Sequence, residues 1–285
     1  MSDRRFLATV FSLFFSGIGA GLVISPVVLG GDVEIAQGDG AAAAWNQWRG
    51  SSRDGRSSAK NWAEGVGEDH LEQVWSVPLQ PSYSGPIVHG DTLFTTETVD
   101  EEMERVTAYD RNTGKLVWEQ SWKGAMKVPF FARSNGSWIR ATPACDGERL
   151  YVAGIRDVLV ALDVATGGIV WQVDFVEKLK SPLPAFGFVS SPLVDGEDLY
   201  VQAGASVVKL SKRTGEVLWS ALSDGGGMGN SAFSSPVIAT IQGKRQLVVQ
   251  TREKLAGLSL EDGGHLVAGD RGLPRHEYPH ADDLE

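Results

Sequence analysis

Apolar and polar residues alternate along most of this chain in short runs of four to seven residues. The runs are rich in valine, isoleucine and aromatic residues, and turns containing glycine, aspartate or asparagine separate them. Alternation with a period of two residues buries one side of each run and is typical of β-strands. No segment after residue 45 shows the period of an amphipathic helix. The pattern therefore predicts an all-β fold.

The predicted strands fall into four repeated units. Each unit begins with a proline turn, such as Ser-Ser-Pro, and in three of them a glycine is followed four residues later by a tryptophan. The glycines recur at intervals of 53, 48 and 48 residues. A repeat of this length that contains four strands is the signature of a β-propeller blade. The glycine–tryptophan pairs are Gly114–Trp118, Gly167–Trp171 and Gly215–Trp219, and Gly263 belongs to the fourth copy.

The repeats also predict the extent of the propeller. Residues 71–268 contain four blades and one preceding strand, in which Trp75 has the place of the repeated tryptophan. We expect this preceding strand to close the ring. Residues 45–70 form a lead-in segment, and 123–138 and 176–186 are longer loops between blades. The blades are predicted at about 84–122, 139–175, 187–222 and 232–268.

The fourth copy departs from the repeat near its end. Val267 stands where the tryptophan is expected, and residues 269–285 are polar and aperiodic. Synonymous codons read in a shifted frame from Leu266 can restore a tryptophan and a new proline turn, so we expect a frame slip there. A divergent tail or a fragment is the alternative. His276 and His280 lie in this tail, and we do not expect them to bind a metal.

The sequence ALDVATGGIVW in the second unit resembles the tryptophan-docking motif of the pyrroloquinoline-quinone (PQQ) propeller repeats. The resemblance covers about residues 71–266, and WNQWRGSSRDGRSS, from Trp45, is similar to the opening of exported PQQ-like propeller proteins. It implies an eight-bladed ring, of which about four blades are present, and similarity to the propeller subunit of the outer-membrane protein assembly machinery. The matching residues are Ala161, Asp163, Thr166, Gly167 and Trp171, and in the first unit Ala108, Asp110, Thr113, Gly114 and Trp118.

The repeated tryptophans are expected to be structural anchors. A large indole near the end of the outer strand can pack against the next blade, and its N–H can reach a backbone acceptor there. The glycine supplies the positive φ that the preceding hairpin loop requires. The expected anchors are Trp75, Trp118, Trp171 and Trp219, together with Gly114, Gly167 and Gly215.

Charge and the N-terminus restrict the partners and the location. The chain of 285 residues has a net charge of −10 and no evident basic stripe, which argues against nucleic acid or an anionic membrane as its main partner. Arg4 and Arg5 precede an apolar run at residues 6–30, so residues 1–44 are expected to be an export signal or a membrane anchor. No cysteine lies near the N-terminus for acylation. We therefore expect a periplasmic or cell-surface protein.

Candidate catalytic chemistry is sparse. PQQ-dependent dehydrogenases, as the resemblance describes them, use a calcium ion held by Glu, Asn and Asp, a catalytic Asp and usually a vicinal cysteine pair. Cys145 is the only cysteine, and no acidic cluster lies in the proline turns. We therefore expect no catalytic residue, no metal site and no cofactor. PQQ with calcium belongs only to the enzyme alternative.

A ligand in the central channel would contact the residues just before each inner strand. Arg140 is the only fixed cation among them and would receive an anionic or carbonyl-bearing ligand. The channel candidates are Asn135, Trp138, Arg140, Phe188, Ser190, Asn230 and Ser234.

The sequence favours a non-catalytic exported propeller that acts as a scaffold or protein-interaction module of the cell envelope. Two alternatives stay open: a PQQ-dependent quinoprotein dehydrogenase, and a polysaccharide or cell-wall binding module. A half ring would expose one face of each terminal blade, so self-association through the open ends is also expected.

Overall fold

The computed structural model describes residues 33–35, 45–57, 72–223, 232–252 and 254–270, all within the unit Asp32–Glu285. For residues 33–35 and 267–270 it describes the backbone only. Asn230, most of the predicted export segment, and residues 271–285 of the tail with His276 and His280 lie outside the described residues.

The chain is an all-β propeller, as the sequence predicts. The described strands form four antiparallel sheets, three of four strands and one of five, and each sheet contains the four strands of one blade. Blade 1 consists of β2 (Ile87–His89), β3 (Thr92–Val99), β4 (Met103–Asp110) and β5 (Leu116–Lys123). Blade 2 consists of β6 (Ala144–Cys145), β7 (Arg149–Gly154), β8 (Val158–Asp163) and β9 (Ile169–Asp174). Blade 3 consists of β10 (Leu193–Asp195), β11 (Asp198–Ala203), β12 (Ser206–Ser211) and β13 (Val217–Ala221). Blade 4 consists of β14 (Val237–Ile241), β15 (Lys244–Gln250), β16 (Lys254–Leu258) and β17 (His265–Asp270).

Three local features differ from the expected strands and loops. A short strand, β1 (Val33–Ile35), pairs antiparallel with β14 although it lies within the segment predicted for export. The loops after blades 1 and 2 contain a 3₁₀ turn, η1 (Phe130–Asn135), and a short helix, α1 (Phe175–Leu179). Residues 72–80 form no strand. An outer strand needs the third strand of its own blade as a hydrogen-bonding partner, and the described residues offer none to this segment.

The third and fourth strands of every blade pair in the same way. The tryptophan of the fourth strand pairs with a residue of the third strand, as in the pair Ala161–Trp171. The strand register shifts immediately after this third-strand residue. In blade 4 the corresponding pair is Gly257–Val267, so Val267 takes the backbone position of the missing tryptophan. The second-strand residue beside this pair is Phe94, Tyr151 or Tyr200 in the first three blades and Val248 in the fourth. Blade 4 therefore departs from the repeat before Leu266.

The core lies between neighbouring blades. Phe94 and Trp118 of blade 1 pack with Leu150 and Val160 of blade 2, and equivalent clusters join blade 2 to blade 3 and blade 3 to blade 4. The second and third strands of blade 2, β7 and β8, bury alternate residues against opposite neighbours, which explains why such middle strands are short and largely apolar.

Hydrogen bonds between the proline turns identify the inner edge of the blades. The N–H of Gly85 donates to Thr142 Oγ1 at 3.2 Å, that of Thr142 to Ser191 Oγ at 3.0 Å, and that of Ser191 to Ser235 Oγ at 2.9 Å. The residue before proline in one blade is therefore hydrogen-bonded to the residue at the equivalent position in the next blade. Sheets that fan out around an axis are closest at the axis, so the first strands line the channel.

Antiparallel order fixes which connections share an end of the propeller. The inter-blade loops and the turns between second and third strands lie at one end, called here the loop end. The glycine turns between third and fourth strands lie at the opposite end, called here the glycine end. Within the described part of the chain, no helix is long and apolar enough to cross a membrane.

Candidate functional site

The glycine turn is closed by its own side chains. In blade 2, Asp163 Oδ1 accepts hydrogen bonds from Thr166 N at 2.8 Å and Thr166 Oγ1 at 2.7 Å. The N–H of Gly167 donates to the carbonyl of Asp163 at 2.8 Å. These bonds from Thr166 hold the pKa of the Asp163 carboxyl below its usual value. The motif Asp-x-x-Thr-Gly thus forms a self-contained turn whose geometry does not depend on neighbouring blades.

Each tryptophan packs on the glycine turn of the next blade. The indole Nε1 of Trp118 donates to the carbonyl of Val164 at 2.8 Å, and that of Trp171 to the carbonyl of Lys212 at 3.1 Å. Trp75 makes the same contact with Arg111 of blade 1 at 2.8 Å, although it lies outside a strand. The glycine allows this approach, because a Cβ on Gly167 would lie 2.6 Å from the Trp118 ring.

Trp219 packs on the next glycine turn without the hydrogen bond. Its Nε1 is buried and has no partner, while Lys209 Nζ donates to the carbonyl of Leu260 at 2.8 Å. Lys209 stands opposite Trp219, where the first two blades have Ala108 and Ala161. The longer Lys209 side chain reaches the carbonyl of Leu260. The equivalent carbonyls in the other blades accept the indole N–H of the tryptophan.

The lead-in segment occupies the channel. The carbonyl of Trp45 accepts a hydrogen bond from Val88 N in β2 at 2.8 Å. Asn46 exchanges two bonds with Cys145 in β6, one through its backbone carbonyl and one through Nδ2, each at 2.8 Å. Because the first strands of separate blades converge towards the axis, a segment that bonds to two of them lies along the inner wall of the channel.

Arg53 extends the contact to blade 3. Its Nη1 donates to the carbonyl of Pro192 at 2.7 Å and its Nη2 to that of Ser191 at 3.2 Å. The guanidinium also lies 5.3 Å from the centre of the Trp48 ring and donates to Gln47 Oε1 at 3.1 Å. Only 5% of Arg53 is exposed, and this burial lowers its pKa to about 9. The side chain therefore stays charged at neutral pH and is neutralised mainly by carbonyl dipoles.

The lead-in segment covers the inner edges that a quinone in the channel would face. Trp45, Asn46 and Arg53 bond to the inner edges of blades 1, 2 and 3 respectively. Among the residues that the structure describes, no three His, Cys, Asp or Glu side chains cluster as a metal site. Cys145 is buried, and burial raises the pKa of its thiol to about 12.

Three of the predicted channel residues come together at the loop end. The Arg140 guanidinium lies 5.0 Å from the ring centre of Tyr83, and the Trp138 ring lies 5.1 Å from the same ring. The hydroxyl of Tyr83 donates to the carbonyl of Asn135. Arg140 Nη2 donates to the carbonyl of Gly136 at 3.2 Å, and burial lowers the Arg140 pKa. These residues form a small cationic and aromatic cluster, most of whose polar contacts are to backbone carbonyls.

The other candidates are dispersed. The sequence predicts that Phe188 lines the channel, but it is 1% exposed and packs against Phe175 in the core between blades 2 and 3. Ser190 is buried with its hydroxyl unpartnered, and Ser234 Oγ donates to the carbonyl of Gln250 at 2.6 Å. The Phe188 ring therefore packs into the blade interface, where its neighbours are apolar, and not into the channel.

The sequence reasoning missed the channel role of the lead-in segment and the bonded proline turns. Both had a signal. The lead-in motif has two arginines, Arg49 and Arg53, shortly after Trp45 and Trp48, and an arginine can make several hydrogen bonds at once. The proline turns place a hydroxyl residue before proline in three of four blades, at Thr142, Ser191 and Ser235. Only the ring geometry brings these hydroxyls to the preceding blade.

Comparison with known families agrees with the repeat architecture. Residues 102–271 match the family described as outer membrane protein assembly factor BamB. The chain belongs to this family. The chain is also 27% identical over 118 residues to the outer membrane protein assembly factor BamB of Kangiella koreensis, a match covering 40% of the chain and 26% of that relative.

Other similar proteins include an enzyme. The chain is 26% identical over 195 residues to a polyvinylalcohol dehydrogenase of Sphingopyxis, covering 63% of the chain and 28% of the relative. The crystal structure of BamB from Moraxella catarrhalis is similar at 18% identity with a TM-score of 0.47, covering 69% of the chain and 51% of that structure. The matches to the Kangiella and Sphingopyxis proteins each span less than a third of the relative's length.

Proposed function

We propose that this protein is a non-catalytic β-propeller of the cell envelope that serves as a scaffold for protein partners. Membership of the outer membrane assembly-factor family supports the envelope role. The proposal includes export directed by residues 1–44 and a propeller at residues 71–268. The anchoring tryptophans hold the blades rigid, and rigid blades present the loops in fixed positions.

The observation that carries the proposal is the occupied channel. Arg53 is buried among the carbonyls of blade 3, and Asn46 extends the edge of blade 2. A propeller enzyme of this class needs its axis for the cofactor, whereas a scaffold needs only its outer faces. The lead-in segment therefore favours the scaffold.

A quinoprotein dehydrogenase is the second candidate, and the likeness to polyvinylalcohol dehydrogenase favours it. Measurements of PQQ binding and of alcohol oxidation distinguish the two functions. We would titrate the full chain with PQQ and calcium, follow tryptophan fluorescence, and assay dye-linked oxidation of alcohols. The scaffold proposal expects no saturable quenching and no dye reduction.

The Arg53→Ala variant is the control for this assay. If the lead-in segment excludes the quinone, weakening its attachment can only increase PQQ binding. Saturable binding by the wild-type chain together with dye reduction would establish the enzyme and overturn the scaffold proposal.

A further inference from the structure

Four phenylalanines form a continuous ridge across the loop end. Phe130 and Phe131 contact each other with ring centres 5.7 Å apart. The ring centres of Phe131 and Phe186 are 6.2 Å apart, and those of Phe186 and Phe233 are 5.7 Å apart. The members belong to the loops that follow blades 1, 2 and 3, so the ridge crosses three blade junctions. We call these four residues the phenylalanine ridge.

Three of the four phenylalanines of the ridge project into solvent, and Phe186 between them is half-buried. Phe130 is 80% exposed, Phe131 54% and Phe233 65%. Leu183, in the same loop as Phe186, is 39% exposed. Phenylalanines that line a pocket are mostly covered by its walls, whereas these stand out from the surface. Contiguous exposed apolar residues of this kind mark an interaction face with a protein or a membrane.

The 3₁₀ turn η1 arranges an apolar and a basic side chain together. Side chains three residues apart eclipse each other in a 3₁₀ helix. Phe130 and Arg133 therefore project from the same side of η1, and no residue of the turn is buried. Pro129 precedes the turn, and its ring restricts its own φ and so the backbone entry into η1.

The loops that carry the ridge are basic although the chain as a whole is acidic. The loop after blade 1, residues 124–143, has three basic residues and no acidic residue. The three inter-blade loops together carry Lys127, Arg133, Arg140, Lys178 and Lys180, against Glu177 and Asp224. Lys127, Arg133, Lys178 and Lys180 are exposed. The net charge of −10 concealed this local excess of positive charge.

We propose that the phenylalanine ridge is a peripheral membrane-binding face that inserts into the interface of an anionic bilayer. Projecting phenylalanines bury their rings at the boundary between headgroups and acyl chains, and flanking lysines and arginines bind anionic headgroups. A protein partner would need a groove matched to a ridge that spans three loops, whereas a lipid surface deforms around it. This inference goes beyond the scaffold proposal, and either can fail without the other.

One acidic turn borders this face. Asp100, Glu101 and Glu102 connect β3 to β4 at the loop end of blade 1. These carboxylates oppose adsorption of the adjoining edge to anionic lipid. Apolar insertion must therefore supply most of the binding, and salt should weaken binding only moderately.

The test uses the full chain with a single polarity-sensitive fluorophore. Ser134 lies in η1, three residues after Phe131, so the Ser134→Cys variant places a maleimide label beside the ridge without removing it. The native Cys145 is 2% exposed and its thiol pKa is raised to about 12, so it reacts far more slowly. The matched label is Asn112→Cys, exposed at the glycine end of blade 1. A second pair of matched variants is Phe130→Ser/Phe233→Ser against Leu116→Ser/Val117→Ser, which alters apolar residues exposed on β5.

We expect vesicles of phosphatidylglycerol and phosphatidylethanolamine to shift the emission of the label at 134 to the blue, with little change at 112. The Phe130→Ser/Phe233→Ser change should raise the lipid concentration needed for half the shift by at least about tenfold, because each ring loses its apolar contact. The Leu116→Ser/Val117→Ser change should leave it unaltered. An equal shift at both labels, no shift with any vesicle, or a shift insensitive to the phenylalanine changes would overturn the proposal. All variants keep residues 1–44, so binding through an N-terminal anchor alone would leave the half-shift lipid concentration unaltered by the Phe130→Ser/Phe233→Ser change.

Discussion

At the scale of single residues, the repeated glycine satisfies two separate requirements. Gly167 has a φ of +73°, a conformation that costs an L-residue roughly 1 kcal/mol or more. It also lies under the Trp118 ring, at a distance that leaves no room for a Cβ. The sequence suggested the first requirement through turn chemistry. The second belongs to the contact between blades and was not visible in the sequence.

Three substitutions separate the two requirements. Gly243 has a φ of +72° and no atom within 4 Å of the place that a Cβ would take, and Gly168 has no positive φ. We expect Gly168→Ala to be nearly neutral, Gly243→Ala to cost about 1 kcal/mol, and Gly167→Ala to cost about 3 kcal/mol of unfolding free energy. Urea denaturation would measure the series. Equal losses for Gly167→Ala and Gly243→Ala would show that the tryptophan contact is unimportant.

At the scale of elements, buried carboxyls connect successive blades. Glu104 in β4 is fully buried and accepts hydrogen bonds from Ile155 N at 2.6 Å and from Trp122 Nε1 at 2.9 Å. Asp157, in the turn between β7 and β8, is 1% exposed and accepts a bond from Gly204 N of blade 3 at 2.7 Å. Each carboxyl thus reaches the turn between the second and third strands of the next blade. Neither pairs with a basic side chain in the contacts described.

Burial raises the pKa of both carboxyls to about 7, and the nearby Asp174 adds to the effect at Asp157. The folded protein therefore binds these protons more tightly than the unfolded chain does. Their contribution to stability is fully present below the unfolded pKa values of about 4 and is lost as pH rises towards 7. We expect the unfolding free energy to fall by roughly 2–3 kcal/mol for each carboxyl between pH 5 and pH 8.

The Glu104→Gln/Asp157→Asn variant is the control for this pH dependence. Its stability should vary much less between pH 5 and pH 8, whatever its absolute value, because neither amide titrates. Exposed carboxyls such as Asp110 and Asp163 have lowered pKa values and change charge below this range. A wild-type profile that rises over the same interval would contradict the assignment of these two groups.

At the scale of the whole molecule, the lead-in segment joins blades that are far apart in sequence. Asn46 bonds to Cys145, 99 residues away, and Arg53 to Pro192, 139 residues away. Such contacts order the channel only after three blades have assembled, since their partners lie on different sheets. The propeller core itself is built from neighbouring blades and needs no such distant contact.

Replacing Arg53 tests this connection. We expect Arg53→Ala to speed exchange of the Val88 and Cys145 amide protons by about tenfold or more, because these amides donate to the lead-in backbone. The stability loss should be roughly 2–3 kcal/mol, since the carbonyls of Ser191 and Pro192 lose a charged donor. Hydrogen exchange followed by mass spectrometry would measure both amides. Arg49→Ala is the matched control, because Arg49 also lies near Trp48 but is exposed. Equal exchange rates in the two variants would contradict the role of Arg53.

The repeat in the sequence determined the blades, their order and the docking of the tryptophans. These features are local or join adjacent units, so the spacing of Gly167 and Trp171 is enough to specify them. The tertiary structure alone decided that residues 45–57 occupy the channel, that Phe188 is core rather than channel lining, and that Lys209 takes the acceptor of Trp219. It also decided that phenylalanines from three loops adjoin. Each of these depends on distances between residues of different blades, which ring closure sets and which hydrophobic patterning along one strand does not encode.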